Sequence, residues 1–266
     1  MQENVNFATM STYTTEIASD KILSDNPIHQ RLLKAYYEAE PYIKGNVLEP
    51  GCGEGRGIDL LAAKAERYTA LDKIPEVIDV LKLQFPAVDF NQMHFPPFTG
   101  VSDNSFDVVI SFQVIEHIQD DKKFLQEIHR VLKPGGKAII TTPNIKMTLT
   151  RNPWHIREYT NTELKELAST IFPQVEMKGI AGNESVMNYY EENKMSVAKF
   201  TRFDIFNLQY KLPASILRIP YDILNRANRK ILQNNNNSLV SDISHQDYFL
   251  NEESETNLDL FCIMTK

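Results

Sequence analysis

A short apolar run, Asn46-Val47-Leu48-Glu49, leads into Gly51-Cys52-Gly53-Glu54-Gly55-Arg56-Gly57, and a helical pattern begins at Ile58. Glycine tolerates positive φ and puts no side chain between the backbone and a ligand. A helix that opens directly after such a turn points unpaired N–H groups and its positive dipole end at the loop, which suits a pyrophosphate or a carboxylate. A dinucleotide fingerprint requires glycine at the sixth position from Gly51, where Arg56 stands; the pattern is instead Glu49-x-Gly51-x-Gly53-x-Gly55. The next apolar run, residues 67–72, ends in Asp72. An acid at the end of a second strand can take a pair of ribose hydroxyls under either reading.

Around this loop the pattern alternates. A helix at 27–41 precedes the first strand. Pro75 opens a helix to Phe85, and 87–91 is a short third strand. Phe106-Asp107-Val108-Val109-Ile110-Ser111 has the look of a buried parallel strand. A helix at 120–132 stops at Lys133-Pro134-Gly135-Gly136, which turns into a strand at 137–142. Thr160-Asn161-Thr162-Glu163 is a capping box for a helix through 171. A strand at 174–180 follows. Strict alternation predicts a parallel sheet flanked by helices. Beyond 172 the rhythm changes. Residues 185–233 read as irregular helices broken by Pro213 and Pro220, the four asparagines 234–237 as a solvated loop, and 258–264 as a terminal strand; residues 1–25 read as irregular.

Composition narrows the function class. Over 266 residues the net charge is −7, so no overall attraction to nucleic acid is expected. Two cysteines, Cys52 and Cys262, cannot build a disulfide framework or a four-ligand zinc site. The polar N-terminus has no signal-type apolar segment, and no run of about 18 apolar residues occurs, so a cytoplasmic protein is expected.

Four segments resemble, in order, the motifs of class I S-adenosylmethionine-dependent methyltransferases. They are Val47-Leu48-Glu49-Pro50-Gly51-Cys52-Gly53-Glu54-Gly55; Asp72; Phe106-Asp107-Val108-Val109-Ile110-Ser111 with Val114-Ile115-Glu116-His117-Ile118; and Leu132-Lys133-Pro134-Gly135-Gly136. The chain is most similar to the broad type 11 members, over about 27–180 and the final strand. The resemblance implies an α/β, Rossmann-like, seven-stranded, mostly parallel sheet. Its antiparallel last strand would pair with 174–180, with helices on both faces and a helical insertion before that strand. One domain is expected: an N-terminal helical cap at 1–42, a core at 43–182 and 255–266, and the insertion at 183–254.

The resemblance also implies S-adenosylmethionine as cofactor and S-adenosylhomocysteine as product. By position, Gly51, Gly53 and the loop backbone would hold the methionine part, with Glu49, Cys52 and Gly55 in the same set. Asp72 would bind the ribose, and Lys73 and Ile74 would flank the adenine. Met93 and His94 would meet the adenine edge, and Ser111 would lie beside the methionine moiety. The third-strand loop often carries an Asp in the family, whereas here it reads Gln92-Met93-His94.

Methyl transfer from a sulfonium asks for an aligned nucleophile and exclusion of water. A protonated acceptor also needs a base. Of six histidines, His117 follows the fourth strand and His155 lies in the loop after the fifth. Each is a candidate base, or else a side chain bonded locally. Trp154, Arg157 and Tyr159 of the same loop are the candidate acceptor contacts. No His or carboxylate spacing demands a metal, and none is expected. Residues 199–230 carry seven basic against two acidic residues among many apolar ones. That segment is either a lid or interfacial element, with Arg218, Arg226 and Arg229 attracting an anionic or lipid-linked acceptor, or a packing subdomain with a solvated basic face. Two functions stay open. One is O- or N-directed methyl transfer to a small-molecule or glycan- or lipid-linked acceptor, with peripheral membrane contact through 199–230. The other is a non-catalytic binding protein that keeps the fold and cofactor site.

Overall fold

The apolar runs become neighbours in one sheet in a computed structural model that describes residues 22–202, 204 and 206–266. The strands are β1 (Asn46–Pro50), β2 (Arg67–Asp72), β3 (Asp89–Gln92), β4 (Phe106–Phe112), β5 (Leu132–Pro143), β6 (Gln174–Gly182), β7 (Tyr248–Glu252) and β8 (Asp259–Thr265). Their order is β3-β2-β1-β4-β5-β8-β6-β7. Strands β1 to β5 pair in parallel. β8 lies antiparallel between β5 and β6, with Ile263 opposite Ile139 and Cys262 opposite Met177.

The sheet has eight strands where seven were expected. The extra one, β7, falls inside the stretch read as an insertion and pairs antiparallel with β6, Tyr248 opposite Gly182. Its five residues are mostly half-buried or exposed, so it carries little apolar signal; it covers an edge that β6 would otherwise leave open.

The central strands are apolar through their middles because both faces are covered. Val47, Leu48, Val108, Val109, Ile110, Ala138, Ile139 and Ile140 are fully buried. On one face pack α1 (Asn26–Ala39), α2 (Ile58–Leu61) and α3 (Pro75–Gln84), through Tyr36, Ile58, Ile78 and Leu81. On the other pack α4 (Asp121–Val131) and α5 (Asn161–Ser169), through Phe124, Ile128 and Leu164. The Thr160–Glu163 capping box opens α5 as the spacing predicts.

Between β6 and β7 run α6 (Glu184–Thr201), α7 (Leu208–Lys211), α8 (Ala214–Asn235) and α9 (Asn237–Asp242). Pro213 precedes α8, but Pro220 does not break it: the helix runs 22 residues through that proline. A proline there removes the N–H that would bond the carbonyl of Ile216, and both residues face outward, where water can take that carbonyl. The asparagine run is not a loop. It ends α8, and the Asn236 side chain accepts the Leu239 N–H to cap α9.

Three arginines of this segment find partners within the fold, so the expected basic face is only partly solvated; Arg229 is buried, while the Arg226 side chain stays 46% exposed. Arg218 lies over the Trp154 ring at 4.5 Å, while Arg226 and Arg229 pair with the buried Asp25 at 2.8 and 3.1 Å. Asn26 donates to the carbonyls of Val240 and Ile243, both at 2.8 Å. The start of α1 and the inserted helices thus form one cover over the carboxyl edge of the sheet. Of the stretch expected to be irregular, Leu23–Asp25 is a single 3-10 turn, and residues 1–21 lie outside the described residues. Among the described residues no helix is long and apolar enough to cross a membrane.

Candidate active site

β1 ends at the carboxyl edge of the sheet, and the glycine loop turns there. Gly51, Gly53 and Gly55 have φ of +82°, +50° and +79°, the left-handed region that favours glycine. A Cβ on Gly51 would stand 2.4 Å from Val114, so that glycine serves close packing. A Cβ on Gly53 would meet nothing within 4 Å, because Gly53 opens onto a cavity of about 540 Å³. Asp72 organises the loop: its two carboxylate oxygens accept the N–H groups of Gly53 at 3.0 Å and Ile74 at 3.1 Å.

Gly51, Cys52, Gly53, Gly55, Asp72, Lys73, Ile74, Met93 and His94 all line this cavity. Glu49 and Ser111 stand behind the lining. Glu49 is buried and accepts hydroxyl bonds from Tyr36 at 2.8 Å and Tyr68 at 2.7 Å. Burial pushes its carboxyl up, against the lowering effect of those two bonds. Ser111 donates to the carbonyl of Pro50 at 2.8 Å and so ties β4 to the start of the loop. Sequence reasoning missed Tyr36 and Phe112, which line the cavity as an edge-to-face pair 4.7 Å apart. Gly57 makes room for Tyr36, since a Cβ there would overlap its ring, a contact visible only in the fold.

A second cavity, of about 250 Å³, adjoins the first and shares Leu32, Gln113 and His117 with it. Its walls come from α1, α6, α8 and the loop after β5, with Tyr189, Tyr190 and Tyr221 among them. At the junction Glu116, His117 and His155 offer ligand atoms that all lie within 4.8 Å of one another. The Glu116 backbone carbonyl accepts the N–H of Ile156 at 2.7 Å and of Arg157 at 3.3 Å, which lays the loop against the turn after β4 and sets His155 beside His117. The two rings stand edge-to-face, 4.9 Å apart. His117 Nδ1 lies 3.0 Å from the carbonyl oxygen of Trp154, and His155 Nδ1 lies 2.6 Å from Glu158 Oε1. The Asn152 amide nitrogen is 2.9 Å from His155 Nε2. An acceptor at Nδ1 and an amide nitrogen at Nε2 suit the Nδ1–H tautomer of His155. Burial pushes the Glu116 carboxyl up to about 7, although His155 and a bond from the Thr142 hydroxyl at 3.0 Å act to lower it.

The three expected acceptor contacts fall elsewhere. Trp154 donates from its indole to Asp222 at 2.9 Å. Arg157 pairs with Asp121 at 2.8 Å, and the buried Tyr159 donates its hydroxyl to the same carboxylate at 2.8 Å. Asp121, in the first turn of α4, draws both away from the cavities. Asn152, His155 and Glu158 line the second cavity in their place.

Residues 48–140 match a family model described as a methyltransferase domain. Over 137 residues the chain is 40% identical to a protein of Mycolicibacterium smegmatis named as a probable S-adenosylmethionine-dependent methyltransferase, covering 49% of this chain and 52% of that one. Over 102 residues it is 31% identical to a ubiquinone biosynthesis O-methyltransferase of Xanthomonas oryzae, covering 37% and 43%. The matches thus span about half the length of these relatives, or less. A solved S-adenosylmethionine-dependent methyltransferase structure from Thermotoga maritima shares the fold, with a TM-score of 0.58 at 14% identity, covering 92% of this chain and 91% of that one.

Proposed function

From a core that is a class I S-adenosylmethionine-dependent methyltransferase domain, we propose methyl transfer to a hydroxyl of an acceptor held in the second cavity. The observation that carries this reading is the meeting of the two cavities at His117, with Glu116 and His155 beside it. The open face of Gly53 and the loop N–H groups receive the methionine part of the cofactor. Asp72 takes the ribose, and Lys73, Ile74 and Met93 border the adenine. The cofactor supplies a methyl group on a sulfonium, a leaving group that asks for no covalent help. The chain's own work is alignment and dryness; alignment alone is worth about 7–11 kcal/mol of barrier. His155, backed by Glu158, and His117, backed by the Trp154 carbonyl, draw off the acceptor's proton, an effect worth about 10²–10⁴-fold.

The two faces of α8 favour an acceptor carried at a lipid surface. Tyr221, Asn225 and Arg229 line the second cavity, while Ile216, Ile219 and Ile223 of the same helix stand 58%, 71% and 63% exposed. A helix apolar on its outer side, with exposed Lys211 and Lys230 near its ends, suits an interface between water and lipid.

The test is transfer of a labelled methyl group to hydroxyl-bearing metabolite and lipid fractions, alongside calorimetry with S-adenosylhomocysteine. His155→Ala is expected to lower turnover by about 10²-fold and leave cofactor affinity near wild type. Cofactor binding with no transfer to any fraction would favour a binding protein instead.

A further inference from the structure

We propose that Glu116, His117 and His155 bind one divalent transition-metal cation at the junction of the two cavities. The three ligand atoms already lie within 4.8 Å of one another. Ligands around a tetrahedral cation with bonds near 2.1 Å stand about 3.4 Å apart, so the side chains need to close in by about 1.4 Å at most, within reach of rotations about their χ angles. Two imidazoles and one carboxylate form a nitrogen-rich donor set, which suits zinc, manganese or iron(II) rather than calcium.

The surroundings add a second, independent observation. Metal-bound histidines hold their other ring nitrogen against a carboxylate or a carbonyl, which fixes ring orientation and tautomer. Both histidines do so here, His155 against Glu158 at 2.6 Å and His117 against the Trp154 carbonyl at 3.0 Å. The Glu116 carboxylate is steadied by Thr142 at 3.0 Å. On binding, the cation replaces the Asn152 amide at His155 Nε2, now 2.9 Å away, and Asn152 turns aside. The ligands come from two segments, the turn after β4 and the loop after β5, so no short spacing in the sequence announces them.

Three protein ligands leave coordination positions open toward the cavities. The role of the cation rests on the reading that the second cavity receives the acceptor. A hydroxyl coordinated there gives up its proton to water at a lower pH than it does free. Its oxygen takes the methyl group, the C–S bond breaks, and that electron pair returns to sulfur. The products are a methyl ether, S-adenosylhomocysteine and one proton. With the cation bound the two histidines are its ligands and the proton leaves to water; without it they are the bases described above.

The experiment uses the full chain, stripped with chelator and titrated with MnCl₂ under electron paramagnetic resonance and with ZnCl₂ in a calorimeter. One Mn²⁺ per chain is expected, bound at least tenfold more weakly by Glu116→Gln and by His155→Ala. Glu158→Gln, which touches only the outer shell, is expected to weaken binding by about tenfold. S-adenosylhomocysteine binding within threefold of wild type in each variant reports that the fold is kept. No binding of either cation by wild-type chain that still binds S-adenosylhomocysteine would overturn the proposal, and so would equal Mn²⁺ affinity in all variants. The two readings fail separately: a chain that binds Mn²⁺ at these residues and methylates nothing loses the function, whereas one that methylates at full rate with chelator present loses the metal.

Discussion

Replacing Asp72 with alanine separates what this carboxylate does for the ligand from what it does for the loop. The side chain is buried, and each oxygen accepts one backbone N–H, from Gly53 at 3.0 Å and Ile74 at 3.1 Å. Each oxygen keeps a second lone pair, and Asp72 lines the cavity, so two ribose hydroxyls can be served at once. Bonds of neutral donors to a charged acceptor contribute about 1.5–3 kcal/mol. Asp72→Ala should therefore weaken S-adenosylhomocysteine binding by at least about 13- to 160-fold, the worth of one such bond. A separate cost falls on the fold, because two N–H groups lose their acceptor. Gly53 opens onto the cavity, where water can replace the carboxylate, so that cost should stay near 1 kcal/mol, or about 2–4 °C in melting temperature for a chain of this size. Calorimetric titration gives the first quantity and a thermal melt the second. Asp72→Asn, which keeps the shape and one acceptor oxygen, should fall between alanine and wild type. An affinity within threefold of wild type in a folded Asp72→Ala chain would refute the assignment of the ribose to this residue.

Gly53→Val should abolish measurable cofactor binding in the calorimeter, since a branched side chain would fill the cavity from a residue at φ +50°. Burial pushes the Asp107 carboxyl up, but bonds from Lys133 and the Asn46 N–H outweigh it and hold the group below its ordinary value. A carboxyl depressed in the folded state adds stability above its unfolded pKa, about 3.9, and loses it as pH falls through the folded value. Melts at descending pH should therefore show Asp107→Asn less acid-sensitive than wild type. Vesicles containing anionic lipid should bind the protein, and binding should persist at about 0.5 M salt, where exposed charge contacts are screened, because Arg218, Arg226 and Arg229 are engaged with Trp154 and Asp25 and Ile216, Ile219 and Ile223 of α8 are exposed. Ile219→Glu combined with Ile223→Glu should remove that binding in a sedimentation assay; wild-type protein left in the supernatant would sink the lipid-linked reading.

The sheet was legible because its constraint acts on composition. Strands covered on both faces must be apolar throughout, and β4 and β5 read that way from Val108 to Ile110 and from Ala138 to Ile140. The capping box before α5 was legible for a similar reason, since its two bonds need those residue types at that spacing. The inserted segment resisted because its signals are conditional. Pro220 breaks a helix only where the carbonyl it orphans cannot reach water, and here that carbonyl faces outward. A basic face is solvated only if no acid lies beneath it, and Asp25, some 200 positions away in the sequence, lies beneath Arg226 and Arg229.

The same distinction divides the site. Gly51, Gly53 and Gly55 answer a demand of the backbone, and Asp72 answers the loop those glycines make, so the cofactor side writes itself into residue types at fixed intervals. On the acceptor side the demand falls on side chains delivered by different elements. His117 and His155 stood out singly, but their meeting depends on the Glu116 carbonyl holding the N–H groups of Ile156 and Arg157. That bond involves backbone atoms every residue possesses, so it leaves no mark on the sequence. Arg157 and Tyr159 looked like acceptor contacts for the same reason: their chemistry suits a ligand, and only the position of Asp121 shows where it is spent. Glu158 carries the opposite lesson. It reads as one more acid in a polar loop until His155 is found 2.6 Å away, and then it becomes the group that fixes which nitrogen of that ring carries a proton.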